Sequence, residues 1–267
     1  AYGTFDHPIH LGSFCASVLA LAWYGARGGL QRLSRGVAVV GATFTALSSA
    51  PLLVCGVQLA LIGWDRLTRG IRGRAWITFG CILAVYIGAS AAMNRSPIAF
   101  IATGMTLDSW TGFYRLVIWE NGLENVWSNP WVGLGLADWE RPAWMASASI
   151  DAFWLVVAMR TGIPTFLLMM LAIVLLVRRV VANGTASGER AVRDFARAWL
   201  FSLIAVFLAA CTVHYWNALY AYFFFFLGLG GFMTAPLRRS ERARPQPIAA
   251  TRPRARPAST RPAMEWG

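Results

Sequence analysis

The sequence predicts an all-α fold: a polytopic helical membrane protein of about seven spans with one large loop on the outer side. Three observations predict it. The chain is 57% hydrophobic and only 13% charged, a pairing that excludes an ordinary soluble domain. Several apolar runs approach the length needed to cross a hydrocarbon core, about 20 residues for roughly 30 Å. The basic residues, all 24 of them Arg, fall mostly in alternate loops, as residues that orient membrane helices do.

In a soluble protein a net charge of +12 would point to nucleic acid. Here the arginines orient the spans, and no nucleic-acid partner is expected. Cys15, Cys55, Cys81 and Cys211 lie inside apolar runs with no CxxC spacing, so neither a disulfide framework nor a thiolate metal site is expected. The chain begins at Ala1 without a signal-peptide pattern and is expected to be the C-terminal part of a longer protein.

Residues 1–10 form a polar lead-in in which Pro8 can open a helix, and the first span is expected over 9–26. Arg27, Arg32 and Arg35 mark a loop. Spans follow at 36–49 and 52–64, with Ser48-Ser49-Ala50-Pro51 as the tight reversal between them. Arg66, Arg69, Arg72 and Arg74 precede a fourth span at 76–93. Beyond the loop at 94–151 come 153–177, stopped by Arg178-Arg179, then 198–213 and 218–233, with 183–197 a polar connector. The chain thus divides into spans (1–93), the loop that carries the site (94–151), spans again (152–235), and an Arg-, Pro- and Ala-rich tail (236–267) read as disordered. If the spans alternate, twenty arginines share the tail's side; Arg95, Arg115, Arg141 and Arg160 are the four left to the other. The tail is therefore expected in the cytoplasm and the 94–151 loop outside.

That loop holds six of the thirteen Trp and six of the twelve carboxylates. A helix capped by Asp108 or Ser109 is expected to run to Val126 and bury Leu116, Trp119, Leu123 and Val126. It sets Arg115 beside Trp119 at i,i+4, with Glu120 and Glu124 on a solvated face. In Asn129-Pro130-Trp131-Val132-Gly133-Leu134-Gly135, the Asn-Pro starts a turn and the glycines let a backbone pass close to another group. Asp138-Trp139-Glu140-Arg141 supplies too few oxygens for a metal. Asp151 stands where the chain re-enters the membrane. Arg160 follows nine residues later, about 13 Å along a helix, and either snorkels to headgroups or serves function at depth. Gly162 and Pro164 are expected to break the helix beside it. His7, His10 and His214 are expected on the outer side as satisfied polar residues.

In this order the residues resemble the bacterial O-antigen polymerases and O-antigen ligases. The matching runs are Tyr114-Arg115-Leu116-Val117-Ile118-Trp119, the Asn129 to Gly135 turn, Ile150-Asp151-Ala152-Phe153-Trp154-Leu155 and Gly162-Ile163-Pro164; the opening Gly3-Thr4-Phe5-Asp6-His7-Pro8-Ile9 is similar as well. The resemblance implies a multi-pass protein of the bacterial inner membrane with a periplasmic loop. It also implies a glycosyltransferase that moves a glycan from an undecaprenyl-diphosphate carrier to an acceptor sugar hydroxyl in exopolysaccharide or O-antigen biosynthesis. Its partners are then the lipid-linked oligosaccharide, the acceptor glycan, the lipid bilayer and proteins of polysaccharide assembly, with no cofactor and no metal.

That chemistry needs cations on the leaving diphosphate and a base at the acceptor hydroxyl. Arg115 and Arg141 are expected on the diphosphate, with Arg95 or Arg160 assisting, and Asp151 as the base. Trp119 and Trp139 suit sugar ring faces, or interfacial anchoring equally, and His7 and His10 complete the substrate-binding candidates. Asp151-Ala152 stands where ligases place His-Asn, and Ser48-Ser49-Ala50 replaces the family's Ser-Arg-Gly. A polymerase is therefore preferred, with ligation onto lipid A core as the alternative. A flippase or transporter without catalysis is the reading of another class, and it predicts charges deep in several spans.

Overall fold

Proline at the first helical position loses nothing, because its missing N–H is one that a helix start leaves unpaired. Accordingly α1 (Pro8–Ser17) begins at Pro8, and His7 caps it by accepting the Ile9 N–H on Nδ1 at 3.3 Å. The structure is a computed structural model that describes residues 3–71, 109–145 and 147–233, with scattered positions from 73 to 90. Among the described residues every regular element is an α-helix. After α1 come α2 (Leu19–Tyr24), α3 (Gly29–Phe44), α4 (Ser49–Leu67), α5 (Ser109–Ser128), α6 (Phe153–Ala186), α7 (Arg190–Ala209) and α8 (Asn217–Phe232). All belong to one unit, Ala1–Ala235. Of the expected span at 76–93, the described positions (77, 78, 80, 81, 83, 84, 87, 88 and 90) are helical; the others, and the whole tail from 236, lie outside the described residues.

Three boundaries differ from expectation for one reason: arginine ends a membrane span, but it is a good helix former. Helix α3 starts at Gly29 and takes in Arg32 and Arg35, which were expected in a loop. Helix α6 runs straight through Arg178 and Arg179 to Ala186, and α7 starts at Arg190, so little of the expected connector remains. The reversal between α3 and α4 sits at 45–48, where Leu47 takes φ 46°. Pro51 lies in the first turn of α4, where proline is tolerated. By length and composition α4 and α6 are the two described helices able to cross a membrane.

The break between α1 and α2 has a specific cause. Gln58 of α4 is fully buried and puts its amide where the helical bond from Ala20 N–H to Ala16 C=O would lie. Its Oε1 accepts from Ala20 N–H at 3.1 Å, while its Nε2 donates to Ala16 C=O at 2.5 Å. A side chain inserted into the ladder kinks the helix without orphaning either backbone group.

Helix α7 is the hub, packing against α1, α2, α4, α6 and α8. Its Trp199 is fully buried, donates to Phe226 C=O at 3.0 Å and lies flat along the Phe226 ring. One apolar core, including Trp154, Trp199, Tyr215, Phe223 and Phe226, joins these helices. A second core, built on Ile118, Val126, Trp139, Met145, Leu155 and Met159, fastens α5 and its following loop to the start of α6. The buried stripe of α5 is only in part the expected one: Val126 is buried and Trp119 packs against the cores, but Leu123 is 44% exposed and Ile118, at 1%, takes its place. Gly122 turns the face, since a Cβ there would meet Leu155 at 2.5 Å.

Candidate functional site

The site is assembled on a broken helix. Gly162 has φ 81° and ψ 167° inside α6, a region essentially restricted to glycine. Pro164 two residues later has no N–H for the Arg160 carbonyl. The break therefore frees Met159 C=O, Arg160 C=O and Ile163 N–H, which burial would make costly. The 129–135 turn satisfies all three. Leu134 N–H donates to Met159 C=O at 2.7 Å, Gly135 N–H to Arg160 C=O at 3.0 Å, and Ile163 N–H to Pro130 C=O at 2.8 Å. The approach is so close that a Cβ on Gly133 would lie 2.6 Å from Arg160 C and Met159 O. Gly133 itself has φ 69°, so the residue is fixed by both space and conformation.

The same docking uses the Arg160 side chain. Its guanidinium donates to Gly135 C=O at 3.1 Å and to Ala137 C=O. Both readings of Arg160 are thereby modified: one of its nitrogens clamps the loop, while its charge acts on His214 and Asp138. Arg141 is also engaged. One nitrogen donates to both Asp138 oxygens, at 2.8 and 2.9 Å, and to Trp139 C=O at 3.2 Å. That guanidinium holds the exposed Asp138 carboxyl below its usual range.

At the mouth of α6 the chain is held head to tail. The first helical N–H groups, those of Phe153 and Trp154, donate to Val213 C=O at 3.1 Å and Ala210 C=O at 3.4 Å. Orphan donors of one helix start thus meet orphan carbonyls of another helix end. This docking brings Asp151, just before α6, within electrostatic range of His214, just after α7. Asp151 accepts from Ser149 Oγ at 3.0 Å, and its charge is felt by both Arg115 and His214.

Arg115 is the third member of that group. Burial pulls its guanidinium below the ordinary arginine range and Asp151 pushes it back; arginine stays charged throughout. Its Nε is buried and has no hydrogen-bond partner. A desolvated, unanswered donor on a cation costs more than a single lost hydrogen bond. Burial likewise holds the His214 imidazole below its usual pKa of 6.5; Asp151 opposes that shift, and His10 and Arg160 add to it. His214 is therefore neutral at pH 7 and able to take a proton. No model of a known protein family matches the chain, and no curated protein matches it.

The remaining candidates serve the architecture around this group. Trp119 donates to Cys211 C=O at 3.0 Å and pins α5 to the end of α7. Trp139 is 2% exposed and donates to Ala148 C=O at 3.1 Å, so its ring belongs to the loop's own core and offers no face to a sugar. His10 is buried against His214, its Nε2 lying 3.0 Å from the His214 carbonyl, and it meets the Trp216 ring edge-on at 4.0 Å. With Asn217 donating to Asp6 at 2.8 Å, it fixes the 214–217 turn. His7 is the α1 cap. Arg95 lies outside the described residues. In the sequence nothing local separates His214 from an ordinary polar residue near a span. Its signal is a tertiary one, 63 positions from Asp151.

Proposed function

We propose that this chain is a membrane glycosyltransferase of the polysaccharide-polymerase type, acting on an undecaprenyl-diphosphate-linked glycan at the outer face of a bacterial inner membrane. The acceptor hydroxyl oxygen attacks the anomeric carbon and a new C–O bond forms there. The bond from that carbon to the diphosphate oxygen breaks, and the diphosphate leaves with the electron pair. The hydroxyl proton passes to a base. The chemistry therefore needs a cation where negative charge grows and a neutral acceptor where a proton is released.

The observation that carries the reading is Arg115: a half-buried guanidinium whose Nε has no partner, within reach of the Asp151 field. A guanidinium fork matches phosphate oxygens in pairs, and its effect is larger where water is excluded. His214 takes the proton and Asp151 stabilises the imidazolium that results. Arg141 and Arg160, already committed to Asp138 and to loop carbonyls, add positive field around the leaving group without being its main ligands.

The seven-span arrangement with a periplasmic loop is part of the same proposal. Under that alternation the arginines split twenty to four, and two of the described helices are long and apolar enough to cross a membrane. The outer half of α6 adds to this with Leu167, Leu168, Leu171 and Val174 all more than half exposed, as on a lipid-facing surface. The test is transfer in vitro from a lipid-linked oligosaccharide by the full chain carrying Arg115→Ala or Arg115→Lys. Both are expected to lose about 10²- to 10³-fold in rate while inserting normally, because lysine restores the charge but not the fork. Polymer formed at the unaltered rate by Arg115→Ala would remove the reading.

A further inference from the structure

A cavity of about 560 Å³ opens between α2, α3 and the start of α7. Its charged lining is Arg27, Arg32, Arg190 and Asp194. Asp194 does not neutralise the three arginines. One of its oxygens lies 3.4 Å from Arg190 and the other 3.5 Å from Arg197, so its charge is already shared. Among the described residues no carboxylate pairs with Arg27 or Arg32. Arg32 Nε is buried and has no hydrogen-bond partner.

We infer that this cavity is a binding site for a phosphate group, and that the phosphate belongs to an anionic phospholipid headgroup. The unanswered Arg32 donor and the unpaired Arg27 ask for an anion with several acceptor oxygens, and guanidinium forks meet phosphate in that way. Apart from Tyr24, whose hydroxyl is given to Asp65, the side chains in the rest of the wall are apolar, with Leu21, Ala26 and Phe195 among them, which suits an amphiphile better than a small hydrated ion. On the turn of α3 that bears Arg32, Leu30 and Leu33 are 82% and 57% exposed, a surface that acyl chains cover. Basic pockets between helices at the positive side of a membrane hold lipid headgroups by this combination. The inference does not rest on the transferase reading and would stand if Arg115 proved dispensable.

The test uses the full chain reconstituted in vesicles of phosphatidylcholine with and without phosphatidylglycerol, followed by delipidation and counting of retained lipid. Arg32→Gln and Arg27→Gln are each expected to lower phosphatidylglycerol retention about tenfold. Arg179→Gln removes the same charge from an exposed position on α6 and is expected to change it by less than about twofold. Equal losses in all three variants would show a diffuse surface attraction and overturn the site, as would retention unaltered by Arg32→Gln. Arg32→Lys keeps the charge and serves as the folding control; partial retention is expected from it. A parallel arm measures thermal protection by inorganic phosphate in phosphatidylcholine alone. Protection equal to that given by phosphatidylglycerol would overturn the lipid as the source.

Discussion

His214 illustrates how a single residue acquires chemistry from its surroundings. Its imidazole lies between the Asp151 carboxylate, which favours the charged form, and burial with His10 and Arg160, which disfavour it; burial is the largest of these. The net direction is downward from 6.5. If the neutral ring takes the proton, the transfer rate is expected to be flat above pH 6.5 and to fall only below it, on an acid limb that reports the depressed value. Asp151→Asn removes the one influence raising that value and is expected to move the limb further to acid. His214→Ala is expected to abolish the limb and lower the rate about 10²-fold or more. An acid limb unmoved by Asp151→Asn would show that another group titrates. Stability follows the same sign. Because the folded-state pKa lies below the unfolded one, the contribution of His214 is present above pH 6.5 and is lost as pH falls through the folded value.

At the scale of elements, the informative unit is the pair formed by the broken α6 and the 129–135 turn. The three backbone bonds between them replace the helical bonds that Gly162 and Pro164 forfeit. Gly162→Ala is therefore expected to cost about 1–3 kcal/mol from backbone strain alone. It costs more from the Cβ, which would lie 2.4 Å from Trp131 O. Loss of the turn would free Arg160 and expose the site, so hydrogen exchange at Leu134 and Gly135 is expected to rise together with loss of transfer. Protection unchanged at both amides would show that the turn holds without the break. Each half of this unit was legible in the sequence, since Asn-Pro with Gly133 and Gly135 marks a turn and Gly162 with Pro164 marks a break. Their mutual satisfaction was not, because hydrogen bonds between positions 25 to 33 residues apart leave no periodic trace. The α5 stripe departs from expectation at Leu123 for a similar reason. Periodicity finds large apolar residues such as Leu123, but contact between helices is set by the small one, Gly122. The expected 52–64, 153–177 and 218–233 each fall within or nearly on a helix, whereas the expected 9–26 is two helices and arginine, a loop marker in the sequence, continues the helix in α3, α6 and α7.

At the scale of the whole molecule, the proposal reduces to sidedness. Arg115, Asp151 and His214 must face the compartment in which the lipid-linked glycan is presented, and the Arg27–Arg32–Arg190 cavity must face the other. The two assignments are coupled, because an odd number of crossings has to separate position 136 from position 187. Leu136 is fully exposed on the site's own loop, and Ser187 caps the far end of α6, so both accept a cysteine without disturbing a core. In a background lacking Cys15, Cys55, Cys81 and Cys211, Leu136→Cys is expected to react with a membrane-impermeant maleimide in intact spheroplasts. Ser187→Cys is expected to react only after lysis. The distance argues that α6 itself provides the crossing. From Ile163 to Ala186 a helix rises about 36 Å at 1.5 Å per residue, enough for a hydrocarbon core of about 30 Å. Labelling of both positions from one side would leave α6 lying along the surface or buried within protein. The site would then have no access to a lipid carrier, and the arginine asymmetry would have to be explained by something other than a membrane.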